Sequence, residues 1–458
     1  MKKFFSGAVK LFVAVSLLLC CLELPVGATG YSTEKGVLAE FYGRGILWSL
    51  SNGEALVNAY DAIVQGIDET KKDIKISTSG LTMDEFQIVL DVYRRDHAEQ
   101  FWLSNTYTYS TKNGKVVTYS PKYLMTGNDL KSARERFDRE INKILSLVSP
   151  SMSDFEKELY IHDTLARRIV YKSGGANAHN SYGAIVEGKA VCEGYAEAFQ
   201  YLMQLCGIQS FLAMGSSLSP TMGSLVGHEW NYFKLDGSFY HVDLTWNDQE
   251  DELYHAYFNM SDKDVSKDHT INLVDYPLPK CNSSDLRYSL LKGNVISGSF
   301  SSDMVGDVMR ANGNRGEFFV DGSMNYFISW LTSDNVIRDI ATRAGIRGGF
   351  AYGYSILGDE IHFYFETENG QTSSDKAEPP PDSDGQTEAD TEAPVTDVSD
   401  TDTYPDGSTG GADPNLEGLN RLNGNGKGTK TVIVTVAVVL ITASAVAAFI
   451  VAANKARY

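Results

Sequence analysis

The alternation of apolar and polar positions divides this chain into regions of clear character. Tyr195, Ala198, Phe199, Leu202, Met203 and Cys206 fall at the i, i+3, i+4, i+7 spacing of one helix face. Gly207 then supplies a residue that can close that helix without a Cβ penalty. Thr82-Met83-Asp84-Glu85 and Ser153-Asp154-Phe155-Glu156 both read as capping boxes, predicting helices over 83–95 and 154–168. A third helical pattern covers 129–147 and stops before Pro150. Strand-like alternation flanks two turn dipeptides. Asn113-Gly114 separates 105–111 from 115–120, and Asp236-Gly237 separates 229–235 from 238–244, so both predict two-residue hairpins. A further strand is expected over 209–214. Past 285 the pattern predicts strands near 293–300, 316–327, 347–356 and 360–366, with a helix near 333–343. The expected class is α+β.

Two apolar runs stand apart from this pattern. Lys2 and Lys3 precede a run over 11–22 broken only by Ser16, and Val26-Gly27-Ala28 follows with small residues. That is the layout of a secretory signal peptide, 1–28. Near the other end, 431–453 is uncharged and free of Pro and Gly. At ~1.5 Å per residue it is long enough for the ~30 Å hydrocarbon core of a bilayer. Lys455 and Arg457 in the tail, 454–458, suit a cytoplasmic side. The expectation is a single-pass cell-membrane protein with an extracellular ectodomain.

The formal charge of -19 belongs mostly to one stretch. Residues 366–420 hold fifteen acids against Lys376, and six of the twelve prolines. A disordered, self-repelling linker is expected over 367–430. The rest of the chain is close to neutral and has no basic patch, which argues against nucleic acid as a partner. The remaining expected divisions are an α+β N-terminal region at 29–150, a core at 151–284 and a small C-terminal α+β domain at 285–366.

Cysteine use sharpens the chemistry. Signal removal takes away Cys20 and Cys21 and leaves Cys192, Cys206 and Cys281, an odd number. Cys192 and Cys206 cannot pair within one helix, because fourteen residues rise ~21 Å. A Cys206–Cys281 disulfide would leave Cys192 as the free thiol. No Cys-x-x-Cys pattern suggests zinc, and no cofactor or metal is expected.

Three frames then stand out: Val191-Cys192-Glu193-Gly194-Tyr195-Ala196, Gly227-His228-Glu229-Trp230-Asn231 and Tyr240-His241-Val242-Asp243-Leu244-Thr245-Trp246. If Leu235 pairs with Ser238 across the Asp-Gly turn, Trp230 faces Asp243 and His228 lies diagonal to it on the same face, ~7–8 Å away at Cα. Cys192 would sit at a helix N-terminus, where the dipole favours thiolate and the first-turn N–H groups can receive an oxyanion. The catalytic set is therefore Cys192 as nucleophile, His228 as proton carrier and Asp243 as the group orienting His228. His241 shares the face and competes with His228. Glu229 points to the other face.

These frames resemble the transglutaminase-like superfamily, in particular secreted bacterial proteins with a transglutaminase core. The likeness is specific over about 154–260, weaker over 80–150 where Gln100-Phe101-Trp102 fits, and does not extend over 285–458. It implies a papain-like fold with a helix packed on an antiparallel sheet, and Cys192, His228 and Asp243 as the triad. Two departures are visible. Glu229 follows His228 where a small residue is common, and no extra oxyanion donor is evident beyond Tyr171 and Tyr182 as candidates. The resemblance implies a cysteine acyltransferase forming a thioester on a protein or peptide amide, cell-wall or surface proteins included. The alternatives are a peptidase or amidase with the same triad, or a non-catalytic surface binding module.

Overall fold

The computed structural model describes residues 41–218, 224–249, 252–357, 359–367 and 420–422. The expected signal peptide, the membrane helix, the cytoplasmic tail and nearly all of the acidic linker lie outside the described residues. Among the described residues no helix is long and apolar enough to cross a membrane.

The centre is helix α1 (Asp154–Arg168), helix α2 (Cys192–Leu205) and a four-stranded antiparallel sheet. Its strands are β1 (Ser210–Leu218), β2 (Leu225–Leu235), β3 (Ser238–Val242) and β4 (His269–Ile271), in the order β4-β1-β2-β3. The Ser153 box is formed reciprocally with Glu156 and starts α1 as expected. Gly207, at φ 80°, closes α2, and Ile208 N–H reaches back to the Met203 carbonyl. The stripe on α2 faces the sheet: Phe199 packs on Phe233 at 4.7 Å, and the Asn231 amide donates to the Ala196 carbonyl.

The β2–β3 hairpin has the expected register, with Leu235 opposite Ser238. Asp236 and Gly237 take φ 48° and 85°, the doubly left-handed turn that matches strand twist. The ladder stops at Asn231 opposite Val242, earlier than expected. Asp243 leaves the strand and caps a short helix, Leu244–Asn247, its side chain accepting the Trp246 N–H.

On one side of this centre sit helices Tyr42–Ser49, Gly53–Asp68, Met83–Asp96 and Gly127–Leu145 and a three-stranded sheet. The Asn113-Gly114 hairpin forms there, joining Leu103–Lys112 to Lys115–Tyr123. Buried Arg95 donates to the Leu212 carbonyl of β1, and Gln200 and Gln204 of α2 donate to the Arg95 and Asp96 carbonyls. The two glutamines satisfy C-terminal carbonyls of helix Met83–Asp96.

Beyond 285 a five-stranded sheet includes Val295–Ser297, Arg315–Asp321, Phe350–Leu357 and Glu360–Thr367. Three helices pack with it: Ser302–Ala311, Met324–Leu331 and Asp334–Ala344. Val305, Met309, Phe318, Phe327, Ile337 and Phe363 form its core. Only the third helix was expected. Residues 324–327 fall in the expected strand near 316–327 but open the helix Met324–Leu331, whose start Ser323 caps by accepting the Tyr326 N–H.

The Cys206–Cys281 disulfide is not formed; all three cysteines of the described residues are free. Cys206 ends α2 near Asp154 and Lys157, whereas Cys281 is buried beside Asp262. The two thiols face different neighbours.

Candidate active site

Cys192 opens α2 and is half-buried. Its predecessor Val191 has extended backbone and no side-chain oxygen, so no side chain caps the first turn. The first-turn N–H groups of α2 beyond Cys192, whose own backbone meets Tyr171, thus keep their donors for another partner. Gly194 in the first turn admits close approach of backbone: a Cβ there would lie 2.8 Å from both the Asn180 carbonyl oxygen and the Ala190 Cβ.

His228 projects from β2 with its side chain buried. Its Nε2 lies 2.6 Å from Asp243 Oδ2, and its ring is within hydrogen-bonding reach of the Cys192 thiol. With Nε2 committed to Asp243, Nδ1 is the nitrogen that serves the thiol. The ring stacks on Trp230 at 5.8 Å, and Trp246 stands 6.1 Å away on another side. Burial pulls the imidazolium down, but the Asp243 carboxylate and Cys192 override it and hold His228 at about 9. Burial likewise raises Asp243, and His228 and His269 reverse that, leaving it below the ordinary carboxylate range. The three residues expected to meet do meet. Asp243 arrives through its cap geometry rather than through the strand ladder.

His241 is not a rival. Trp230 Nε1 donates to its Nδ1 at 3.0 Å, and its Nε2 faces Asp262 Oδ1 at 3.0 Å. The two oxyanion candidates also separate. Tyr171 hydrogen-bonds the Cys192 backbone, while Tyr182 packs among Phe101, Phe137 and Arg136. Glu229, on the alternate face, meets Glu193 and Glu197 of α2; burial first and then these acids push its carboxyl well up.

One residue of the site was missed. His269 of β4 places Nε2 3.0 Å from the same Asp243 oxygen that His228 uses. Nothing local in Asp268-His269-Thr270 announces this. The loop between Asp243 and β4 brings them together.

Among the described residues, three clusters have the composition of metal sites: His162/Asp163/His255, His228/Asp243/His269 and His241/Asp262/Cys281. Their hydrogen bonds do not fit a metal. A ligating imidazole offers one bare nitrogen and donates from the other. His241 Nδ1 accepts from an indole, so its one proton is on Nε2, the nitrogen facing the cluster. His162 Nε2 faces the Asn247 amide nitrogen, and its Nδ1 faces Asp163. His255 and His269 face carboxylates with both nitrogens.

A family model described as the transglutaminase-like superfamily matches residues 143–244, which include Cys192, His228 and Asp243. No curated protein matches the chain. Among solved structures, a TGase is 12% identical over 36% of this chain and 48% of its own, at a TM-score of 0.22. The periplasmic domain of TgpA from Pseudomonas aeruginosa bound to ethylmercury is 17% identical over 29% of this chain and 56% of its own, at 0.18. The chain thus spans about half the length of these proteins.

Proposed function

We propose that this chain, whose residues 143–244 form a transglutaminase-like core, is a cysteine acyltransferase acting on protein or peptide amides through Cys192, His228 and Asp243. One observation carries the reading: His228 is held between Asp243, at 2.6 Å, and the thiol at the mouth of α2. An imidazole held up at about 9 keeps its proton at neutral pH. His228 therefore rests as an imidazolium beside Cys192, the kind of neighbour that favours the thiolate as attacking form.

The chemistry follows from that pair. The thiolate adds to the amide carbonyl, and the oxygen that gains charge lies against the first-turn N–H groups of α2 and the Tyr171 hydroxyl. The C–N bond breaks as His228 gives its proton to the departing nitrogen, leaving a thioester on Cys192. An incoming amine then loses a proton to His228, attacks the thioester and restores the thiolate. Water in place of the amine makes the same machinery a peptidase or amidase. The signal-like and membrane-like segments of the sequence support placement at the outer face of a cell membrane, with surface or cell-wall proteins as substrates.

The deciding experiment offers the full chain, in detergent, a set of protein substrates and a tagged primary amine. Tag incorporation identifies a transferase; new termini or released ammonia without tag identify a hydrolase. Both must vanish in Cys192→Ala. A product that persists in that variant refutes the nucleophile, and no product with any substrate in the wild type favours a surface binding module.

A further inference from the structure

His269 touches the reacting set without belonging to it. Asp243 Oδ2 accepts from two imidazoles, His228 at 2.6 Å and His269 at 3.0 Å, while its Oδ1 accepts the Trp246 N–H. The other nitrogen of His269, Nδ1, lies 2.6 Å from Asp268 Oδ1. Asp268 Oδ2 in turn accepts from the Tyr257 hydroxyl at 2.6 Å. The His269 side chain is fully buried. With both ring nitrogens facing carboxylate oxygens, both must carry protons, so the ring is a cation.

We propose that His269, backed by Asp268, is a positioning residue of the acyl-transfer site: it fixes Asp243 from the side away from Cys192 and sets the pH range over which His228 keeps its proton. The proposal rests on the acyl-transfer reading. A lone buried carboxylate would direct its whole field at His228. Here a second cation shares that carboxylate, its ring centre 5.3 Å from that of His228. The effect is to weaken the grip of Asp243 on the His228 proton while keeping Asp243 in place. A general acid must release its proton as well as hold it, and the optimum lies near the working pH.

The surroundings allow few other charges to do this. From β2, Trp230 covers His269 at 4.9 Å and His228 approaches it; Trp246 stands at 4.8 Å and Tyr257 at 5.8 Å. On β1 the facing residue is Ser217. His241 is the remaining titratable neighbour, and burial, ahead of its other interactions, holds it below its ordinary value. Burial also opposes charge on His269, and the hydrogen bonds to Asp243 and Asp268 override it, holding the ring at about 9.

Carboxymethylation of Cys192 in the full chain by iodoacetate tests this. The anionic reagent reacts with thiolate and is favoured by a neighbouring imidazolium, so its rate rises with thiolate formation and falls as His228 loses its proton. His269→Gln keeps an N–H for Asp243 and removes the charge. Its falling limb should move to higher pH by about one to two units, the size expected for removing a unit charge at this separation. Its peak rate should stay within about threefold of wild type. Asp268→Asn should move the limb in the same direction by less. His269→Ala, which also loses the donor, should lower the peak rate by roughly tenfold. A limb unmoved in both His269→Gln and Asp268→Asn, whatever their thermal stability, overturns the proposal and makes His269 a packing residue. Should His269→Gln fail to fold, Asp268→Asn decides alone. A wild-type profile without a falling limb, unchanged in His228→Ala, refutes the acyl-transfer reading instead.

Discussion

Asp243→Asn is the most informative single change at this site. Asparagine can still accept the Trp246 N–H through Oδ1, so the short helix keeps its cap. What disappears is the charge 2.6 Å from His228 Nε2. His228 is held at about 9, with Asp243 the first of the groups that raise it and Cys192 the second; an ordinary imidazole sits near 6.5. Because burial opposes the charge, His228 should fall once the carboxylate is gone. The His228 imidazolium should lose on the order of a hundredfold in population relative to the neutral ring. The amide also turns an N–H toward Nε2, which forces the ring proton onto Nδ1, the side facing the thiol. That is the wrong tautomer for a base, and the rate should fall by ~10²–10⁴. The assay is the rate of Cys192 carboxymethylation against pH, read by peptide mass. The linkage sign is set by a raised folded value. The stability that Asp243 gives through His228 is complete below ~6.5 and is lost as pH rises through about 9. A pH profile of Asp243→Asn that superimposes on wild type would refute the charge-pair account.

Alkylation at mildly alkaline pH should label Cys192 first. Burial pushes Cys206 up to about 11 and Cys281 further, so labelling of either at a rate comparable to Cys192 would contradict the site assignment. In Gly215→Ala a Cβ would meet the Thr270 carbonyl oxygen at 2.0 Å, forcing β4 away from β1. The expected loss is about 1–3 kcal/mol in denaturant unfolding, and the iodoacetate falling limb should move in the direction given by His269→Gln. His255→Gln should cost about 3–5 kcal/mol by leaving Asp163 and Glu317 without their shared cation. His255 is held at about 10, so the wild-type advantage over this variant should be full below ~6.5 and fade as pH rises through that value; an advantage that grows with alkaline pH would refute the bridge.

The residues of the site could be read from sequence to different depths, for physical reasons. Both capping boxes and both two-residue turns follow from local chemistry, and each formed where the sequence placed it. The register of β2 and β3 follows from Asp236-Gly237, so His228 and Asp243 were drawn together by a turn two residues long. The manner of their meeting was not legible. Asp243 reaches His228 as a helix cap, because Leu244–Asn247 coils where the alternating pattern promised strand. His269 was beyond local reasoning altogether, since its contact with Asp243 closes a loop of 26 residues. Met324–Leu331 departs for a different reason: its apolar residues are interrupted only at Asn325 and Ser329, a pattern too short to separate the two periods.

The region beyond 285 bears on the site through one stretch of chain. Residues 254–269 carry Tyr257, which hydrogen-bonds Asp268, and end at His269 itself. The same stretch is gripped from the other side. His255 bridges Asp163 of α1 and Glu317 of strand Arg315–Asp321, and burial, overridden by Glu317 and Asp163, leaves it a cation at about 10. Arg287 donates to Glu360 and to the Ala256 carbonyl, and Tyr254 lies against His362 at 4.4 Å. Removing one partner from such a buried charged set costs several kcal/mol, because the charges left behind have no water to replace it. The five-stranded sheet is therefore tied to the core at the stretch that presents His269 to Asp243. Loosening it should be felt at the triad before it is felt in α2, whose apolar stripe is seated independently on β1 and β2.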